Sequence, residues 1–201
     1  MNIVDIFPTP LGIFNLKENL NKEQLNFINE QKIKSKKSFG NNISVDNYVL
    51  DNSVLFDLKK NIELKVKEYF QNTYNNDEVA TYITQSWLNF TEEEQFHHEH
   101  YHSNSIISGV YYINADPNFD SIQFKKNREY NCIKIEPKTL NVYNSSNINF
   151  NVKSNDLILF PSSVTHLVVN KKGNNLRVSL AFNVFIKGNI GEKIKLNYLK
   201  L

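Results

Sequence analysis

The chain has 201 residues, of which 40% are hydrophobic and 12% aromatic, which suits one domain with a packed core and excludes a disordered chain. The formal net charge of +2 gives no indication of nucleic acid or an acidic membrane surface as a partner. Cys132 is the lone cysteine, so an intrachain disulfide is excluded, and neither a signal peptide nor a membrane-length apolar stretch is visible. We therefore expect a cytoplasmic protein without membrane association.

The N-terminal part of the chain predicts one or two short strands and two helices. Residues 1–16 contain short apolar runs broken by prolines and a glycine, which are typical of edge strands. Asn21 and Gln24 have the spacing of a helix N-terminal cap and predict a helix over about residues 22–35. Apolar residues recur at steps of three and four between residues 53 and 72, which predicts a second helix with one buried face.

From residue 79 onward the sequence changes to short β-like runs separated by turn-forming pairs such as Asp116-Pro117. Ten runs are strand candidates, namely 79–90, 95–102, 105–114, 121–125, 132–136, 139–143, 148–152, 156–160, 164–169 and 175–186. Many short strands at such spacing indicate a sandwich or barrel of antiparallel sheets, with the N-terminal helices packed outside. The predicted fold class is therefore α+β, mainly β.

We expect a single domain over residues 1–201, because no linker, repeat or low-complexity block divides the chain. Within it, residues 1–78 would form the N-terminal strands and supporting helices. Residues 79–186 would form the β core, and residues 187–201 a C-terminal extension.

Histidine is concentrated in one segment of this chain. The five histidines are His97, His98, His100, His102 and, far downstream, His166. Because side chains alternate along a strand, His98, His100 and His102 would share one face and His97 would lie on the other. Two imidazoles spaced i, i+2 can hold one metal ion if a third ligand arrives from elsewhere, and only His166 is left to do so. His98 competes with His102 for a place in this site, because the His98–His100 pair has the same spacing.

The second informative segment follows His166. Arg177 and Ser179 are spaced i, i+2, so on a strand they face the same side. A guanidinium group with a hydroxyl beside it is a good receptor for one carboxylate. Since Arg177 is one of only two arginines in the chain, its position near the third histidine is informative.

These features together resemble the iron(II)/2-oxoglutarate-dependent oxygenases. Members of that superfamily carry an H-x-D/E motif, a distal histidine and a downstream Arg-x-Ser on a double-stranded β-helix. Residues 100–112, HYHSNSIISGVYY, are similar to the H-x-H-x-x-S-x-x-S-G-x-Y-Y motif of a small, prolyl-hydroxylase-like branch found in marine bacteria and phages. Residues 156–166, DLILFPSSVTH, and the opening FPTPLGIF also resemble this branch.

The resemblance implies a jelly-roll or cupin-like double-stranded β-helix and a set of site residues. His100, His102 and His166 would be the iron ligands. Arg177 and Ser179 would bind the C5 carboxylate of 2-oxoglutarate. Tyr112 is implied as a further contact to that carboxylate, because the segment Tyr-Tyr-Ile-Asn at residues 111–114 is similar to a Tyr-Tyr-Leu-Asn segment of the prolyl-hydroxylase-like members.

The implied activity needs Fe(II), O2 and 2-oxoglutarate as a small-molecule cosubstrate. Decarboxylation of 2-oxoglutarate to succinate would be coupled to oxidation, usually hydroxylation, of a second substrate. In a phage-encoded protein this would take place in the host cytoplasm. His102 stands where most of the superfamily has Asp or Glu, so the site would carry one more unit of positive charge than usual.

Other functions stay open at this stage. Three-histidine iron sites also occur in cupin-like thiol dioxygenases, which use no 2-oxoglutarate, and imidazoles bind zinc readily. A non-catalytic β-barrel used for binding or in a phage structure is the alternative outside the enzymes. His97 and His98 could support the metal site, face the substrate or lie on the surface, and we expect Trp87 in the core. A small metabolite, a protein side chain and a nucleobase remain open as the substrate.

Overall fold

The computed structural model describes residues 1–17, 19–126, 133 and 135–201. Helix α1 (Lys22–Ile33) begins after Asn21, whose side chain accepts a hydrogen bond of 2.9 Å from the backbone N–H of Gln24. The Gln24 side chain in turn accepts from the backbone N–H of Asn21, so the predicted cap is confirmed. Helix α2 (Phe56–Tyr74) follows two 3₁₀ turns, Val49–Asp51 and Ser53–Leu55, and buries the predicted apolar face.

Twelve strands are formed by the described residues. They are β1 (Gly12–Asn15), β2 (Lys36–Lys37), β3 (Asn42–Ile43), β4 (Val79–Thr91), β5 (His97–His100), β6 (Ile107–Asn114), β7 (Ser121–Lys125), β8 (Asn147–Asn151), β9 (Asp156–Pro161), β10 (His166–Val168), β11 (Arg177–Ile190) and β12 (Leu199–Lys200). The larger sheet has the order β1-β9-β6-β11-β4-β3-β2, with β12 paired to β11, and the smaller sheet has the order β5-β10-β7-β8. Every strand pair in both sheets is antiparallel.

The larger sheet separates two hydrophobic cores. Strand β6 shows this division most clearly, because Tyr111 packs on the helix side while Val110 and Tyr112 pack toward the smaller sheet. Phe160 of β9 and Phe124 of β7 meet in this second core, with ring centroids 5.0 Å apart. The histidines of β5 and β10 lie in the smaller sheet, so the site is built beside the core between the sheets.

The predicted α+β, mainly β class is confirmed, and the two sheets face each other without closing into a barrel. The predicted strand at 139–143 is wrong, because the side chain of Asn141 accepts hydrogen bonds from the backbone N–H groups of Tyr143 and Asn144 and forms a turn there. Cys132, and with it part of the predicted strand at 132–136, lies outside the described residues. Across the described ranges, no helix is long and apolar enough to cross a membrane.

Candidate metal centre

Three of the histidines converge at the edge of the smaller sheet. His100 on β5 and His166 on β10 are direct cross-strand partners, and their ring centroids are 4.3 Å apart. His102 follows β5, and its backbone N–H donates to the carbonyl oxygen of Ser162 at 3.0 Å. The His102 ring centroid lies 5.0 Å from that of His100 and 5.2 Å from that of His166. Ligand-capable nitrogen atoms of the three rings all lie within 4.8 Å of one another.

Backbone carbonyl groups fix the orientation of two of these rings. The Nδ1 atom of His100 lies 2.8 Å from the carbonyl oxygen of His98, and the Nδ1 atom of His166 lies 3.1 Å from that of Val164. A carbonyl oxygen can only accept, so each Nδ1 carries the proton and each Nε2 keeps a free lone pair. The donor set therefore fits a divalent transition-metal ion bound through Nε2.

Burial keeps these imidazoles neutral. It lowers the pKa of His166 to about 3 and that of His102 to about 4, and it also lowers the pKa of His100. The neighbouring histidine rings add to the effect, because each charged ring would repel the others. At neutral pH the three side chains are thus in the form that a metal ion requires.

Three serine hydroxyls hold the loop that carries His102. The Ser108 hydroxyl is 2.9 Å from that of Ser162, which donates to Ser105 at 2.8 Å. The Ser105 hydroxyl also donates to the carbonyl oxygen of Val184 on β11. Because Ser162 accepts the backbone N–H of His102, this chain of hydroxyls connects the histidine segment to β6 and β11. Ser105 and Ser108 of the motif at residues 100–112 thus have a structural role, because they hold the loop that positions His102.

A bulge in β5 changes which histidines face inward. Strand β10 advances by two residues from His166 to Val168, whereas β5 advances by three, from His100 to His97. The prediction that His97 lies on the outer face is therefore wrong, because His97 lines the cavity together with His100 and His102. Glu99 does face outward, where its carboxylate pairs with Lys125.

The proposed carboxylate receptor lies on β11 beside the histidines. Arg177 and Ser179 point into the cavity, are both buried, and flank Val178, which packs in the helix-side core. The Arg177 Nη2 atom donates to the Tyr112 hydroxyl at 3.4 Å, and the guanidinium carbon lies 5.2 Å from the Tyr112 ring centroid. Tyr112 is also the cross-strand partner of Ser179. The three residues named from the sequence are thus brought together.

The guanidinium group of Arg177 is only partly satisfied. Its residue is 3% exposed, and its Nε atom has no hydrogen-bond partner. Among the described residues, no carboxylate forms an ion pair with it. A buried cation without an anion is costly. Arg177 is therefore a candidate receptor for an anionic ligand.

Strand β4 contributes residues that the sequence reasoning missed. Thr91 and Asn89 are the cross-strand partners of Arg177 and Ser179, and the Oγ1 atom of Thr91 is buried without a partner. Asn41, in the turn before β3, donates to the Oδ1 atom of Asn89 at 3.4 Å and keeps its own Oδ1 atom unpartnered. The i, i+2 spacing of Trp87, Asn89 and Thr91 on a predicted strand could have indicated one common face.

The prediction that Trp87 belongs to the core is wrong. Its side chain is only half-buried and lines the cavity, with its ring centroid 5.8 Å from that of His102. The reason is strand parity, since Leu88 and Phe90 occupy the core-facing positions of β4 and leave Trp87 on the opposite face.

Solved structures from several organisms have the same fold as this chain. A prolyl hydroxylase from Trichoplax adhaerens, in complex with a peptide fragment of hypoxia inducible factor, is 11% identical with a TM-score of 0.59, covering 87% of this chain and 83% of that one. HygX from Streptomyces hygroscopicus with nickel, 2-oxoglutarate and hygromycin B bound is 11% identical with a TM-score of 0.58, covering 88% and 82%. A 2OG-Fe(II) oxygenase family oxidoreductase from Burkholderia pseudomallei is 12% identical with a TM-score of 0.57, covering 87% and 83%. These similarities confirm the predicted double-stranded β-helix fold.

Sequence comparison identifies a related family. No curated protein matches the chain. Residues 85–183 match the family model described as "Putative 2OG-Fe(II) oxygenase". This segment contains all five histidines together with Arg177 and Ser179. Over residues 85–183, which contain the whole candidate site, the chain matches the 2OG-Fe(II) oxygenase family.

Proposed function

We propose that this protein is a non-haem iron(II), 2-oxoglutarate-dependent hydroxylase. The observation that carries the proposal is the buried guanidinium group of Arg177, which faces a histidine-lined cavity and has no carboxylate partner among the described residues. A three-histidine dioxygenase without 2-oxoglutarate would need this buried cation only if its substrate carried an anionic group. A dicarboxylate bound to a metal at one end would place its other carboxylate within reach of such a group.

His100, His102 and His166 hold the iron in this proposal. The backbone carbonyls at residues 98 and 164 keep the Nε2 atoms of His100 and His166 directed at the ion. When bound, iron(II) with 2-oxoglutarate and O2 supplies the oxidising power for a C–H bond, and the protein supplies orientation and a water-poor cavity. With three neutral ligands the ion keeps its full double charge, which favours the dianion 2-oxoglutarate as its remaining partner.

Arg177, Ser179 and Tyr112 bind the C5 carboxylate in this proposal. Burial raises the pKa of Tyr112, so its hydroxyl stays protonated at neutral pH and can donate to the carboxylate. Arg177 supplies the charge through a fork of N–H donors, and Ser179 supplies a second hydroxyl from the same strand face. Thr91 lies across from Arg177 and offers a further buried hydroxyl.

The proposal is tested by an anaerobic titration of the metal-free protein. Iron(II) is added first and 2-oxoglutarate second, and the weak visible charge-transfer band of the chelate is followed. We expect a saturable band in the wild type and in Lys125→Ala, a surface control on the outer side of the small sheet. We expect Arg177→Ala to bind iron but to lose the band.

Each alternative gives a different result in this experiment. Iron binding without a 2-oxoglutarate band would assign the three histidines to an iron dioxygenase that uses no 2-oxoglutarate, and thiol substrates would be tested next. Absence of iron binding would favour a non-catalytic binding module. A band that survives in Arg177→Ala would refute the assignment of the carboxylate receptor. Where the wild type gives the expected band, succinate formed after oxygen is admitted would establish turnover.

A further inference from the structure

The histidine segment contains a second group of three imidazoles that the proposed iron site does not use. The ring centroids of His97 and His98 are 5.1 Å apart, and those of His97 and His100 are 4.7 Å apart. The ring centroids of His98 and His100 are separated by 5.1 Å. As in the first group, ligand-capable nitrogen atoms of all three rings lie within 4.8 Å of one another. We propose that His97, His98 and His100 form a second position for a divalent transition-metal ion.

The bulge in β5 is what creates this group. In a regular strand His97 and His98 would point to opposite sides of the sheet. The extra residue between His97 and His100 instead leaves both rings against that of His100, while Glu99 remains outside with Lys125. Bulges commonly redirect a side chain beside an active site.

An unsatisfied nitrogen atom supports a ligand at this position. The Nδ1 atom of His98 is buried and has no hydrogen-bond partner. The Phe39 ring packs at a right angle to the imidazole of His98, with the two centroids 5.5 Å apart. A buried polar atom that is left without a partner destabilises the fold. Coordination to a metal ion would remove this cost.

The ligand set selects the class of ion. Three imidazoles without a carboxylate suit Co(II), Ni(II), Zn(II) or Fe(II) and do not suit Mg²⁺ or Ca²⁺, which prefer oxygen ligands. The nearest acid in the segment, Glu99, is directed away and paired with Lys125.

The two positions exclude each other because both need His100. The Nδ1 atom of His100 is engaged by the carbonyl oxygen of His98 at 2.8 Å, so only Nε2 is left for a metal. An ion held by His97, His98 and His100 therefore removes one ligand from the site formed with His102 and His166. On the proposed function, an inert ion such as Zn(II) held at the second position would therefore exclude iron from the first site and inhibit the oxygenase reaction.

The test uses cobalt(II), whose visible absorption depends on its ligands. In His102→Ala/His166→Ala, the first site is removed and His97, His98 and His100 remain. We expect this variant to bind one equivalent of cobalt(II), more weakly than the wild type, and the further change His98→Ala to abolish binding. Glu99→Ala is the matched control, since it alters the same strand on its outer face. It should leave the cobalt(II) spectra of the wild type and of His102→Ala/His166→Ala unchanged.

The outcomes separate this inference from the proposed function. If the wild type binds no metal, the proposed iron site, and with it the proposed function, is refuted. If the wild type binds cobalt(II) and the folded His102→Ala/His166→Ala variant binds none, the second position alone is refuted. Should that variant not fold, His97→Ala/His98→Ala decides instead. At saturation the wild-type spectrum would be the sum of cobalt(II) held at one position or at the other, so we expect this variant to lose one component, and an unchanged spectrum would overturn the proposal.

Discussion

Gly109 is the position at which a single added methyl group should most clearly test the packing under the site. Gly109 lies opposite Phe182 on the neighbouring strand β11, and the Phe182 side chain is buried in the helix-side core. A Cβ atom at residue 109 would lie 2.1 Å from the Cζ atom of Phe182 and 2.4 Å from its Cε2 atom. The ring would have to retreat by more than 1 Å to reach an ordinary contact distance.

We therefore expect Gly109→Ala to destabilise the protein. Overpacking of a filled core costs about 1–3 kcal/mol. The lower backbone entropy of the unfolded chain returns about 0.4–1 kcal/mol of this. A net loss of about 1–2 kcal/mol corresponds to a fall in Tm of about 2–8 °C for a domain of this size. Urea unfolding of the metal-free protein measures the free energy, and thermal unfolding measures Tm.

A double-mutant cycle shows whether Phe182 causes the loss. Phe182→Leu removes the atoms that the new methyl group would meet. The loss in free energy of unfolding of the double variant should therefore be about 1 kcal/mol smaller than the sum of the losses in the two single variants. Additive effects would mean that β6 moves and Phe182 does not. A Gly109→Ala protein within about 0.5 kcal/mol of the wild type would refute the argument.

Three further perturbations test buried polar groups of the protein. Lys171→Met should destabilise the fold by about 3–5 kcal/mol in urea unfolding, because it leaves the buried carboxylate of Asp120 without its cation, and adding Asp120→Asn should recover part of the loss. Metal-free protein should lose stability as the pH falls from about 6.5 toward 4, since the unfolded chain takes up protons on histidines that the fold keeps neutral. His166→Gln should make that loss shallower. Arg177→Met should show no 2-oxoglutarate-dependent rise in Tm, while its ligand-free Tm is equal to or above that of the wild type because the buried unpaired cation is gone; a retained rise would contradict the receptor assignment.

Much of this architecture could be predicted because its signals are local. The cap formed by Asn21 and Gln24 and the apolar face of α2 each depend on residues within one or two helical turns. Most strand positions followed from short apolar runs between turn-forming pairs. The pair Arg177 and Ser179 was also predictable, because strand alternation alone places both side chains on one face.

Two of the errors arose where a hydrogen bond, and not the apolar pattern, decides the local structure. The bulge between His97 and His100 depends on pairing with β10, which is more than sixty residues away, so the strand pattern alone could not reveal that His97 turns inward. At 139–143 the apolar alternation resembled a strand, but the side chain of Asn141 bonds its own backbone and forms a turn. In both cases the deciding hydrogen bond leaves no mark on hydrophobic periodicity.

The unsatisfied atoms around Arg177 connect stability with function in this protein. The Arg177 Nε, Thr91 Oγ1 and Asn41 Oδ1 atoms are all buried without partners on the same side of the larger sheet. Each costs about 1–3 kcal/mol in the ligand-free protein, which apolar side chains of similar size would avoid. A sequence optimised for stability alone would not keep three such atoms together. On the proposed function, the carboxylate of 2-oxoglutarate accepts hydrogen bonds from Arg177 Nε and Thr91 Oγ1. Binding therefore removes part of this destabilisation, which adds to the affinity for the ligand. The ligand-free protein is therefore less stable than its core allows, and ligand-dependent stabilisation is the signature to expect of a working site.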